Sequence, residues 1–109
     1  YVGVWLKDLP HGEGTQTYAN GDQYEGEWLA NEKNGKGLMK YNSGTIYDGE
    51  WKLDMKHGTG TLDHKNGNLF NGYWANNKKD GKGKIIYSNG DKYEGEFFDD
   101  RPSGYLGGN

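Results

Sequence analysis

The sequence predicts an all-β fold: a single-layer antiparallel β-meander of repeated hairpins, twisted and curved. Two observations predict it. A common register returns every 23 residues along the 109-residue chain, and within each return aromatic and glycine residues fall at every second position. Alternation at period two is typical of strands with one solvated face. Self-similarity at a short fixed period is typical of arrays whose units bury their apolar faces only against their neighbours.

Columns of aromatic and glycine residues define the repeat. The aromatic columns are Tyr1, Tyr24, Tyr47, Phe70 and Tyr93, and Trp5, Trp28, Trp51, Trp74 and Phe97. The glycine columns are Gly3, Gly26, Gly49, Gly72 and Gly95; Gly12, Gly35, Gly58, Gly81 and Gly104; and Gly21, Gly44, Gly67 and Gly90. We predict one domain, 1–109, with repeats 1–23, 24–46, 47–69 and 70–92 and a partial, capping unit 93–109. Two roles are open for four residues of this unit, a cap of the array or the docking site of another segment of the parent protein: Phe97, Phe98, Tyr105 and Leu106.

Each repeat is expected to contain two short strands. Residues 24–28 alternate large, charged and small side chains, as a strand does when one face is wet. We expect the polar stretch 30–34 to form a loop and a second strand to run over 35–41. The predicted pairs in this hairpin are Trp28 with Gly37, Gly26 with Met39 and Tyr24 with Tyr41.

The return to the next repeat is predicted to be a three-residue hairpin loop. A loop over 19–21 pairs Tyr18 with Asp22 and Gln16 with Tyr24, and Gly21 supplies the left-handed residue that such a loop needs. All aromatic columns then share one face, here called the ring face, which carries Tyr24, Gly26 and Trp28. The opposite face carries charged residues and is expected to be solvated.

Neither the composition nor the motifs of this sequence indicate a catalytic or metal-binding site. Hydrophobic residues make up 31% of it and aromatic residues 15%, so it cannot build a thick two-layer core. It has no cysteine, and its histidines, His11, His57 and His64, do not form a metal-ligand pattern. Its carboxylates recur on the solvated face rather than in a closed pocket. We predict no enzyme activity, no catalytic residue, no metal, no cofactor and no nucleic-acid partner.

The ring face is the predicted partner-binding groove, because one layer cannot bury both of its faces and exposed aromatic surface marks interaction sites. We expect the tryptophans to be mainly structural. The tyrosines and the variable positions Gln16, Met39, Leu62 and Ile85 are expected to be available to a partner. The candidate groove residues are Tyr1, Trp5, Tyr18, Tyr24, Trp28, Met39, Tyr41, Tyr47, Trp51, Leu62, Phe70, Trp74, Ile85, Tyr87 and Tyr93.

A stripe of lysines is the second candidate surface. Lys33, Lys56 and Lys79 share one phase, which the predicted hairpin places in loops along one edge of the sheet. Such an edge could contact an anionic membrane, where each lysine contributes about 1 kcal/mol. The net charge of −3 and the absence of a protruding apolar residue speak against it.

The motifs Tyr-Glu-Gly-Glu-Trp at 24–28, Asn-Gly-Lys-Gly at 34–37 and Tyr-Ser-Asn-Gly-Asp at 87–91 resemble those of the MORN repeat (membrane occupation and recognition nexus). The resemblance covers essentially the whole chain. It implies a single-layer antiparallel sheet with one hairpin per repeat, curved into a groove.

The resemblance also implies a function. The expectation is a non-catalytic module that binds a helix or an extended segment of a protein, in an intracellular cytoskeletal or ciliary scaffold. Self-association is a further expectation. The alternatives are a membrane-contact module that binds anionic lipids such as phosphoinositides, and an appendage of a kinase or methyltransferase, since families of both kinds carry such arrays.

Overall fold

The computed structural model describes the backbone of residues 1–105 and the side chains of residues 1–102. This part of the chain forms one ten-stranded sheet in which each strand pairs antiparallel with the next, measuring 53 × 24 × 16 Å. The predicted single-layer meander is confirmed. The strands are β1 (Val2–Leu6), β2 (Leu9–Thr17), β3 (Gln23–Leu29), β4 (Glu32–Lys40), β5 (Ile46–Lys52), β6 (Met55–Asp63), β7 (Leu69–Ala75), β8 (Lys78–Ile86), β9 (Lys92–Phe98) and β10 (Arg101–Tyr105).

The turn inside each repeat is shorter than the sequence suggested. Ala30 and Asn31 both have positive φ, 46° and 74°, and join β3 to β4 as a two-residue turn. Positive φ at both central residues is the geometry of a type I′ turn, whose twist matches that of the flanking strands. The predicted loop over 30–34 is therefore wrong, and β4 begins at Glu32.

The short turn changes the register of this hairpin. The structure pairs Tyr24 with Met39 and Gly26 with Gly37, and then Trp28 with Lys33 across a bulge. The predicted partners of Tyr24 and Gly26, which were Tyr41 and Met39, are wrong by two residues, and the predicted partner of Trp28, which was Gly37, is wrong by four. Shifts by an even number keep every residue on its face, so the ring face survives the correction.

The return turn is as predicted. The Tyr18 amide donates to the Asp22 carbonyl oxygen at 2.8 Å, Gln16 pairs with Tyr24, and Gly21 has φ of 98°. A left-handed residue at the end of a three-residue loop is the G1-bulge arrangement, which favours glycine.

The core is a layer of side chains lying on the ring face. Gly26 and Gly37 approach so closely that a Cβ on Gly26 would overlap the Gly37 Cα, and a Cβ on Gly37 would overlap the Tyr24 phenol. The Tyr24 ring therefore packs directly on the backbone of this glycine pair. Phe97 is buried like Trp28, Trp51 and Trp74 of its column, whereas Phe98 is 68% exposed. The capping role predicted for Tyr105 and Leu106 rests on side chains outside the described residues.

Candidate functional site

The aromatic rings form one continuous ladder along the long axis of the sheet. Successive rings meet edge to face, with centroids 4.9–5.5 Å apart and planes at 80–89°. This is a favoured geometry for aromatic pairs. Its order is Trp5, Tyr1, Trp28, Tyr24, Trp51, Tyr47, Trp74, Phe70, Phe97 and Tyr93. Such a chain of contacts requires all ten rings to lie on the same face.

Most of the ladder is buried, contrary to the expectation that its tyrosines are open to a partner. Tyr24 and Tyr47 are 0% exposed, and Phe70 is 1% exposed. The members of the predicted groove that the structure buries are Tyr24, Trp28, Met39, Tyr47, Trp51, Phe70, Trp74 and Tyr93. A single layer achieves this because Tyr24 and Tyr47 each pack on a glycine pair and contact the indole of the next repeat, while Phe70 contacts Phe97 in the same way. These residues form the floor of the ring face rather than its contact surface.

The three lysines complete the cover of the rings. The corrected register pairs Lys33 with Trp28, Lys56 with Trp51 and Lys79 with Trp74, so all three lie on the ring face. Their predicted position on a solvated loop edge is wrong. Their ammonium groups stand 5.3–5.8 Å from the centroids of nearby rings. Lysine stems shield apolar surface, and the ammonium is attracted to the ring faces.

Each lysine is also tied to the turn of the next repeat. The Asp54 carboxylate accepts from the Lys33 backbone amide at 2.8 Å, and the Asp54 amide donates back to the Lys33 carbonyl at 3.0 Å. Lys56 makes the same pair of bonds with Asn77, and Lys79 with Asp100. These reciprocal bonds hold the turns in line along one edge of the ring face.

The charge environment differs between the lysines. The Lys33 ammonium is 3.3 Å from Asp54 and 3.5 Å from the Tyr18 hydroxyl. The partner of Lys56 in the next turn is Asn77, which carries no charge, and burial lowers the pKa of Lys56. Among the described residues, no carboxylate lies within ion-pair distance of Lys56.

The accessible part of the ring face is a second row of side chains beside the lysines. Tyr87 is 38% exposed, Trp5 is 54% exposed at the β1 edge, and Tyr1, Tyr18, Tyr41, Leu62 and Ile85 are half-buried. The Lys33 ammonium lies over the Tyr18 ring, and the Lys56 ammonium over the Tyr41 ring. One cleft of about 440 Å³ and another of about 250 Å³ flank the contact between Tyr18 and Lys33.

Sequence reasoning missed the lysines as part of the ring face, together with the column that contains Asp54 and Asn77. A signal was present: Asp or Asn recurs at 8, 31, 54, 77 and 100, the second position of every short turn. Asn and Asp are the residues that tolerate positive φ, so this column identifies the type I′ turn and thereby the register.

Comparison with known families identifies the array. The family model described as MORN repeat matches residues 1–23, 24–46, 47–69, 70–92 and 93–105. The chain belongs to the MORN repeat family. MORN repeats are non-catalytic modules that generally act in protein or membrane binding. No curated protein is significantly similar to this MORN chain.

Two kinds of feature are absent from the described residues. Residues 1–105 contain no helix long and apolar enough to cross a bilayer. No group of three or more His, Asp or Glu side chains in this part of the MORN array could hold a metal ion.

Proposed function

We propose that this MORN array is a non-catalytic module that binds a protein segment along its ring face. The observation that carries the proposal is the row of half-exposed side chains, including Tyr18, Tyr41, Leu62 and Ile85, which lies on a fixed floor of buried rings. Tyrosine and apolar residues of this kind dominate binding hot spots. A floor that is already packed loses little entropy when a partner docks.

The setting we propose for this module is an intracellular scaffold of the cytoskeleton or cilium. An array 53 Å long presents a continuous surface to an extended or helical segment of a partner, as repeat proteins commonly do. Association of two copies through the same face is part of the proposal.

A second candidate is contact with anionic lipids through Lys33, Lys56 and Lys79. Their alignment along one edge of the ring face favours it. Two observations weigh against it: the Lys33 side chain is only 13% exposed and is paired with Asp54, and Lys56 lies among four rings.

The experiment is site-specific photo-crosslinking in cells. A photoreactive phenylalanine analogue replaces Tyr87 on the ring face or, as a matched control, Tyr73, an exposed tyrosine on the opposite face. We expect a discrete protein adduct from position 87 and none from position 73. Adducts from position 73 alone, equal adducts from both, or none from either would refute the proposal. Lipid adducts from position 87 without a protein adduct would favour the second candidate.

A further inference from the structure

Two neighbouring repeats treat equivalent lysines differently. Asp54 accepts a hydrogen bond from the Lys33 backbone amide at 2.8 Å and also pairs with the Lys33 ammonium at 3.3 Å. Asn77 accepts the same backbone bond from Lys56, also at 2.8 Å, but its neutral amide leaves the ammonium without an ionic partner. The fold thus places a turn carboxylate beside Lys33 and Lys79 and a neutral amide beside Lys56. Of these three lysines in the described residues, only Lys33 has its ammonium within ion-pair distance of the turn carboxylate.

The Lys56 ammonium has no adjacent carboxylate among the described residues and is also partly buried among aromatic rings. Its ammonium stands 5.4–5.8 Å from the centroids of Tyr41, Tyr47, Trp51 and Trp74. A cation that is partly removed from water, stands among ring faces and is attracted only by a more distant carboxylate, here Asp100, is less stable than one in direct contact with an anion. The lowered pKa of Lys56, caused first by burial, agrees with this.

We infer that the ring face takes a protein segment with a single acidic anchor, whose carboxylate pairs with the Lys56 ammonium and supplies the ionic partner that Asp54 gives to Lys33. This inference rests on the proposed function and names the chemistry of the segment. Residues flanking the anchor are apolar, because Tyr41 and Leu62 lie in the neighbouring row of the same face.

The charges around Lys56 favour one carboxylate over a densely anionic surface. Asp54 and Asp100 lie in the turns on either side of Asn77, and the chain carries a net charge of −3. These acids repel a bilayer or a polyphosphate headgroup that approaches several repeats at once. A single Asp or Glu side chain carries one charge to one repeat and therefore meets less of this repulsion.

The test uses a substitution that supplies the missing carboxylate from within the chain. Asn77→Asp keeps the backbone acceptor for Lys56, as Asp54 and Asp100 show at the equivalent turns. The probe is a displayed library of random 16-residue peptides selected on the wild-type protein. We expect an Asp or Glu in the selected binders, whose change to Asn or Gln weakens binding at least about tenfold. Asn77→Asp should weaken the same binders by a similar factor.

Asp54→Asn is the matched control, because it removes a carboxylate from the neighbouring turn and should not weaken these binders. Binders without an essential acid, or with equal affinity for the wild-type protein and Asn77→Asp, overturn the inference. If such binders still lose affinity when Tyr41 and Tyr87 are changed to serine, the proposed function stands although the inference of an acidic anchor fails. If no binders emerge, or if they tolerate Tyr41→Ser with Tyr87→Ser, both fail. Binding to vesicles that contain phosphatidylserine is a further measurement. If the wild-type protein binds them and Asn77→Asp abolishes that binding, the occupant is a lipid and the inference is overturned.

Discussion

The Tyr24 hydroxyl donates a hydrogen bond of 2.9 Å to the carbonyl oxygen of Glu27, three residues along its own strand. The ring must therefore lie along the strand rather than stand away from it, directly over the glycine pair. The Trp28 indole similarly donates to the Gly14 carbonyl oxygen of the preceding repeat at 3.1 Å. Equivalent bonds are made by Tyr47, Trp51 and Trp74. These rings are thus fixed by a polar atom as well as by packing, which helps a sheet without a second layer to keep an ordered core.

Gly37→Ala tests whether stability depends on the packing of the Tyr24 ring against the glycine pair beneath it. The added Cβ would overlap the phenol, so we expect the free energy of unfolding to fall by about 1–3 kcal/mol or more, as in overpacked cores. Urea denaturation measures it. Gly44→Asn is the control, because no atom lies within 4 Å of a Cβ there and its cost is confined to backbone strain at a φ of 98°. Equal losses in the two variants would contradict the packing account.

The contribution of the tyrosine hydroxyl to stability can be tested by removing it at Tyr24 and by adding it at Phe70, which occupies the same column in another repeat. Tyr24→Phe should lower the free energy of unfolding by about 0.5–1.5 kcal/mol, because the buried hydrogen bond to Glu27 is lost. Phe70→Tyr should raise it by a similar amount if its new hydroxyl reaches the equivalent carbonyl of Tyr73. Paired urea melts compare them. No loss of stability in Tyr24→Phe together with no gain in Phe70→Tyr would mean that the hydroxyl contributes nothing at this column.

The sequence predicted which face each ring occupies but not how deeply it is buried. Alternation around Gly26 and the turn glycine Gly21 were sufficient for the strands, the meander and the ring face. The hairpin register was missed because alanine rarely adopts positive φ, so Ala30 with Asn31 did not indicate a turn. Burial depends on that register, because only the correct pairing brings Lys33 over the rings.

Alkaline pH should destabilise the array. Burial, and secondarily Glu27 and Glu50, raise the pKa values of Tyr24 and Tyr47 above the ordinary tyrosine value. Above about pH 10 the unfolded chain loses phenolic protons that the folded chain retains, so stability is full below that pH and declines above it. The decline should reach about 1.4 kcal/mol per pH unit for each phenol. Urea melts from neutral to alkaline pH should show a shallower decline in Tyr24→Phe with Tyr47→Phe.

Substitutions at Lys56 separate two contributions of its side chain to stability: shielding of the rings by the aliphatic stem and the charge of the ammonium group. Lys56→Met keeps a long apolar side chain over Tyr47 and Trp51 but removes the partly buried cation, so stability should stay within about 1 kcal/mol of wild type or rise. Lys56→Ala exposes the rings and should cost more, by roughly 25 cal/mol per Å² of uncovered apolar surface. Thermal and urea melts give both values. If Met were as damaging as Ala, the cation itself would be the stabilising group.

Tyrosine footprinting, before and after addition of the partner captured by crosslinking, tests the central claim most directly. Mass spectrometry reads out which phenols react with a tyrosine-selective reagent. In the free protein we predict modification of Tyr87 and Tyr73 and none of Tyr24 and Tyr47, which are 0% exposed. With the partner bound, Tyr87 should be protected and Tyr73 should still react. Modification of Tyr24 and Tyr47 in the free protein, or protection of Tyr73 instead of Tyr87, would contradict the account.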